Sequence, residues 1–78
     1  PGPRSSIRWE LMRDGIEEWE KLRLLRESNH GTLPKDLEEL LERFRDPKTL
    51  GDDEEIIRDV EAMREAIEQA ARKVNLTP

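Results

Sequence analysis

Cysteine and tyrosine are absent from this 78-residue sequence, which has one histidine, one phenylalanine and two tryptophans. Without cysteine there is no disulfide to stiffen a small fold and no thiolate for a zinc or iron–sulfur centre. Long apolar runs are missing too: nothing approaches the ~20 consecutive apolar residues of a membrane span, and no stretch reads as a secretory leader. Nor is there an excess of positive charge. Lysine and arginine number 14 against 19 acidic residues, for a net charge of -5. No basic stripe interrupts them, so binding nucleic acid by phosphate neutralisation is not expected. Most of the negative excess lies in the last third, where Gly51 to Pro78 carries eight acidic and four basic residues. The 42% of charged residues and the mean hydropathy of -0.95 approach the composition of disordered chains. The apolar residues are periodic, however, which argues for order. A chain shorter than about 70–80 residues rarely draws more than ~3–5 kcal/mol from a single core. Stability is therefore expected from helix packing, from a partner or from further parent structure. The first residue is Pro1 rather than methionine, as in an excised or processed fragment.

The sequence is predicted to be all-α, a small three-helix bundle with helices at about 6–27, 34–45 and 53–74 in a single domain, 1–78. The alternative is a helical hairpin with a third arm. Pro1 to Ser6 is a turn-rich lead-in, after which Ser5 or Ser6 suits the N-cap of the first helix. Met12, Ile16, Trp19 and Leu22 then step by four, three and three residues, one side of a 3.6-residue helix, with Trp9 and Leu25 extending the stripe. Arg8, Glu10, Arg13, Glu17, Glu20, Lys21, Arg23 and Glu27 fill the other side, with Glu17 four residues before Lys21 in the favourable order for an ion pair. Gly15 costs such a helix roughly 1 kcal/mol relative to alanine and suggests close approach by another backbone. Asn29 or Gly31 is expected to take the left-handed conformation that closes the helix. Pro34 opens the second helix, where Leu37, Leu40, Leu41 and Phe44 form an apolar face, and Asp46-Pro47 stops it. Asp52 caps the third, with Glu55 as a capping-box acid. Ile56, Val60, Met63, Ile67, Ala70 and Val74 make its seam, widened by Ile57 and Ala66, and Asn75 is expected as its C-cap. Short connections make consecutive helices antiparallel.

The candidates for chemistry each have a plainer reading. His30 lies in an Asn-His-Gly turn, where an exposed loop residue is expected, and it is too few ligands for a metal site. Asp52-Asp53-Glu54-Glu55 lacks the alternating spacing and glycine of a calcium loop and suits a helix start instead. Glu17 with Glu18, or Asp14 with Glu18, forms an acidic pair, but catalytic carboxylates need burial or a neighbour that separates their pKa values. Trp9 and Trp19 are shaped to stack on a sugar, although aliphatic neighbours at helical spacing make Trp19 a core residue. Arg4, Arg8 and Arg13 offer an anion site or simply a solvated helix face. No catalytic residue, cofactor site or metal site is expected in the chain.

The run Pro1-Gly2-Pro3-Arg4-Ser5-Ser6-Ile7-Arg8-Trp9-Glu10, with Leu11 and Arg13-Asp14-Gly15-Ile16-Glu17-Glu18-Trp19-Glu20-Lys21, resembles the C-terminal region of glycoside hydrolase family 123. That family carries a similar Ser-Ile-Arg-aromatic-Glu segment followed by Arg-Asp-Gly-Ile-Glu-Asp-Tyr-Glu. Here Glu18 stands in place of Asp and Trp19 in place of Tyr. Ala71 to Asn75 resembles the family's closing segment in a general way. The resemblance implies a bacterial parent enzyme with a (β/α) barrel that hydrolyses terminal N-acetyl-β-galactosaminide bonds, the sugar's own 2-acetamido group acting as nucleophile. The catalytic Asp-Glu pair of the family lies upstream, and no position here matches it. Pro1 to Ser6 would correspond to the loop entering the last barrel helix, Ile7 to Glu27 to that helix, and the rest to a tail packed behind it. Arg13, Asp14 and Gly15 would pack against neighbouring barrel elements. The same resemblance implies a periplasmic or extracellular setting.

Two main readings follow. One is a non-catalytic scaffolding segment whose partner is the parent catalytic barrel, with no nucleic acid and no membrane. It should expose an apolar patch on the first helix around Trp9 and Leu24, through which self-association is also open. The other is a free-standing helical interaction module, which should hide both tryptophans and leave the seam of the third helix uncovered. A third, a small active hydrolase, needs a pocket that the residue inventory does not supply.

Overall fold

A computed structural model describes the backbone of residues 3–76 and the side chains of residues 7–73. Three α-helices, α1 (Pro3–Ser28), α2 (Lys35–Arg45) and α3 (Asp53–Leu76), form a small all-α three-helix bundle, with a single 3-10 turn, Pro47–Thr49, between α2 and α3. No strand occurs among the described residues. The two long helices make the main pair, and the short α2 lies against both.

Helix ends follow local chemistry. α1 begins at Pro3, so Ser5 and Ser6 lie inside its first turn rather than at its cap; their side chains are outside the described residues. At the other end the Gly31 N–H donates to Arg26 O at 2.8 Å, which satisfies a carbonyl that helix termination would leave free. His30 (φ 62°) and Gly31 (φ 80°) take the left-handed conformation there, and Asn29 does not. Pro34 precedes α2, where a missing N–H costs nothing. Asp46 ends α2 and accepts from Lys48 N at 3.1 Å, starting the 3-10 turn. Asp52 Oδ1 accepts from Glu55 N at 2.9 Å, capping α3 as its sequence indicates. α3 continues through Leu76, so Asn75 is a helical residue and not the cap.

The core consists of Leu22, Leu40, Leu41, Phe44, Ile56, Val60 and Met63, with Leu11, Trp19, Leu25, Leu33, Leu37, Leu50, Ala66 and Ile67 packed around it. α2 and the first half of α3 bury the residues their spacing predicts. Ile57 does not widen the seam of α3 but faces solvent, and Val74 lies outside the described side chains.

The orientation of α1 differs from its predicted one. Its inward line is Leu11, Gly15, Glu18, Leu22 and Leu25, spaced four, three, four and three. Of the predicted stripe only Leu22 is fully buried; Met12 and Trp19 are half-buried, and Ile16 and Trp9 are exposed. The cause lies at two seam positions. Gly15 is where the Phe44 ring packs: a Cβ there would stand 2.9 Å from Phe44 Cδ2 and nearer still to Cε2. The close approach is therefore by a side chain of α2, not by a backbone. Glu18 is the other, buried in the seam with Arg64 of α3 3.4 Å away and Lys21 at 3.5 Å.

Polar links tie each pair of helices. Arg8 bridges to Asp53 at 2.9 Å and donates to Gly51 O at 3.0 Å, joining α1 to the start of α3. Arg26 meets Glu38 at 3.0 Å between α1 and α2, and Arg43 meets Asp59 at 2.9 Å between α2 and α3. Partly exposed pairs of this kind are each worth up to about 1 kcal/mol, so they set alignment while the apolar core supplies most of the stability. The predicted Glu17–Lys21 pair does not form, because Lys21 turns to Glu18.

Candidate interaction surface

Among the described residues, none of the predicted chemical constellations converges into a reaction site. Asp14 and Glu18 do come together, but around Arg64, at 4.0 and 3.4 Å, and Glu18 is only 6% exposed, so the helices cover it. Glu17 points to solvent, away from both. His30 is exposed in its turn, and no group of His, Cys, Asp or Glu among the described residues is arranged to hold a metal ion. In the acidic run Asp52 is the α3 cap and Asp53 the partner of Arg8. Arg8 is thereby committed to α3, and Arg13 lies over the Trp9 ring at 5.1 Å, so these two do not share an anion; the side chain of Arg4 is outside the described residues. Asp14 and Gly15, expected to face a barrel, are used inside the bundle by Arg64 and Phe44.

Trp19 is half-buried rather than fully in the core. Its Nε1–H donates to Leu41 O at 2.9 Å, and Arg23 lies 5.4 Å from its ring centre. Trp19 and Arg23 line a groove of about 310 Å³ between α1 and α2 together with Arg26, Leu41, Glu42 and Arg45. Its three guanidinium groups are already neutralised, by Glu20 at 2.9 Å, Glu38 at 3.0 Å and Glu42 at 3.5 Å. The hydrogen bond that Arg23 donates to Glu20, and then the charge of that carboxylate, hold the Arg23 guanidinium above its ordinary pKa. A cation shifted that way keeps its contribution at every pH below the ordinary arginine value, so it gives no switch in the physiological range.

What remains is the side of α1 turned away from its partners. At about 100° per residue, Trp9, Arg13, Ile16, Glu20 and Leu24 lie within about 80° of one another and diametrically opposite the Leu11–Leu25 seam. The apolar members are exposed, Trp9 by 62%, Ile16 by 52% and Leu24 by 58%. Ile7 and Ile57 are exposed as well, but Ile7 is on the seam side of α1 and Ile57 is on α3. Arg13 has no carboxylate partner among the described residues. A helix with two opposed apolar lines has one more than the bundle uses. A further regularity was missed in the sequence: Trp9-Glu10-Leu11-Met12-Arg13 and Trp19-Glu20-Lys21-Leu22-Arg23 repeat one pattern, and each sets its arginine over its tryptophan. The i, i+4 spacing of the two residue types was the available signal.

Among the described residues no helix is long and apolar enough to cross a membrane. Comparison with known proteins finds no family model, no curated protein and no solved structure that matches the chain.

Proposed function

We propose that the chain is a non-catalytic helical segment with a structural role, which works by packing the outer face of α1 against another folded body. The observation that carries this reading is the exposure of Trp9, Ile16 and Leu24 along one line of a helix whose opposite line is closed by α2 and α3. Singly scattered apolar residues need no explanation, but apolar surface gathered on one side of a helix is the kind that marks an interaction site. The buried seam of α3, with Ile56 and Met63 at 0% exposure, speaks against the alternative module that would bind through that seam. On the resemblance to glycoside hydrolases, such a segment would belong at the C-terminus of a bacterial hydrolase-like protein whose chemistry on N-acetyl-β-galactosaminides is carried by a barrel elsewhere. The internal use of Asp14, Gly15 and Glu18 supports a self-sufficient bundle behind that face.

The test has two arms on the 78-residue chain. Incubation with a chromogenic N-acetyl-β-galactosaminide should release no more chromophore than buffer alone. Replacing Trp9, Ile16 and Leu24 together by serine should leave the melting temperature of the monomer within a few degrees, because surface substitutions away from the core rarely change stability by more than ~0.5 kcal/mol each. Turnover, or collapse of the fold in the triple variant, would contradict the reading.

A further inference from the structure

We propose that the body covering this face is a second copy of the chain, packed antiparallel so that α1 meets α1 across a two-fold axis beside Ile16. This deepens the packing reading and rests on it. The argument is the order of residues along the face. A two-fold contact requires a surface complementary to itself, each residue i meeting a residue j that meets i in return. From Trp9 to Leu24 the order along the outer line is Trp9, Arg13, Ile16, Glu20, Leu24, that is apolar, cation, apolar, anion, apolar, and Glu27 continues the line beyond this stretch. Reversing it about Ile16 sets Trp9 against Leu24 of the other copy, Arg13 against Glu20, and Ile16 beside its own equivalent. Every position then meets a residue that suits it, and no like charges on this line are opposed. The same face set parallel in register would oppose Arg13 to Arg13 and Glu20 to Glu20.

The charges are available for this. Arg13 is exposed, steadied over Trp9 and without a carboxylate of its own among the described residues. Glu20 is exposed and binds Arg23 at 2.9 Å through Oε2, and a carboxylate can accept from two guanidinium groups. The line from Trp9 to Leu24 is about 22 Å long at ~1.5 Å per residue, so the two copies meet along most of a helix. Three apolar side chains from each copy form a small contact, below the ~1,200 Å² of a standard interface, and a Kd of about 10 µM to 1 mM is expected.

Sedimentation equilibrium of the intact chain across that range tests the proposal, with circular dichroism to check that each variant is folded. The wild type should show a monomer–dimer equilibrium. Arg13→Glu and Glu20→Arg should each raise the dimer Kd by about tenfold, since symmetry makes every reversal count twice. The double reversal, Arg13→Glu with Glu20→Arg, should bring the Kd back to within about threefold of the wild type, the coupling expected of residues in contact. A folded wild type that stays monomeric to 1 mM overturns the second copy and leaves the face to a different body such as a barrel. A dimer that neither reversal weakens, or that the double reversal does not restore, overturns the α1–α1 pairing. Failure of the packing reading itself shows elsewhere, as turnover in the chromogenic assay or unfolding of the triple serine variant.

Discussion

At the scale of single residues, Gly15 and Glu18 decide how α1 sits. Alanine in place of Gly15 would improve helix propensity by ~1 kcal/mol but drive a methyl into the Phe44 ring, which is 6% exposed and has little room to move. Overpacking of this kind costs about 1–3 kcal/mol. Gly15→Ala is therefore expected to lower stability in a urea titration, and Phe44→Leu, itself destabilising, should absorb part of that loss when the two are combined. Simple additivity of the two changes would show that the ring and the glycine are not in contact. Glu18 makes a different case, a carboxylate held in an apolar seam by Arg64 and Lys21. Arg64→Met alone leaves that carboxylate poorly compensated and should destabilise by about 1–3 kcal/mol. Glu18→Leu with Arg64→Met should be neutral or stabilising, because a buried pair often gains little over well-packed apolar residues. If the single change were harmless and the double change severe, Glu18 would not be buried as described.

Taken as an element, α1 shows why one helix was misread from its sequence while its neighbours were legible. In α2, Leu37, Leu40, Leu41 and Phe44 are the only large apolar residues and share one face, so spacing alone identifies the buried side. In α3, Ile56, Val60, Met63 and Ile67 share one face at regular spacing, and Ile57 beside them falls outside it. α1 has apolar residues on opposite sides, and its inward line includes a glycine and a glutamate. Periodicity therefore favoured the stripe through Met12, Ile16, Trp19 and Leu22, which runs between the two lines and joins apolar residues on both sides of it. Only the position of Phe44 identifies the true seam, and that is tertiary information. The turn after α1 was read more nearly. Gly31 takes the left-handed conformation as expected, but His30 shares it, and an L-residue there is strained. His30→Gly should raise stability by about 0.5–1 kcal/mol and Gly31→Ala should lower it by at least as much. Thermal unfolding of the two variants would check the signs; a loss on His30→Gly would mean that the imidazole contributes more than its backbone conformation costs.

For the whole molecule, a bundle of this size has little apolar surface to spare, yet it leaves Trp9, Ile16 and Leu24 outside its core. The all-α class, the three helices and most of α2 and α3 were legible in the sequence. Helical periodicity set Trp9 in the buried stripe, and exposed apolar surface was expected under the scaffolding reading alone, around Trp9 and Leu24. The alternation of charge between them was not, because its meaning depends on knowing which side of α1 faces out. On the proposal above, α1 has two working faces, one closed by the fold and one offered to a partner. Tryptophan fluorescence tests it most directly, in two variants that each keep one indole, Trp19→Phe and Trp9→Phe. Trp9 alone should be open to iodide at low concentration and become shielded, with blue-shifted emission, as concentration rises, while Trp19 alone should be partly shielded throughout. Trp9 shielded at the lowest concentration, or Trp19 the residue that responds to concentration, would contradict it.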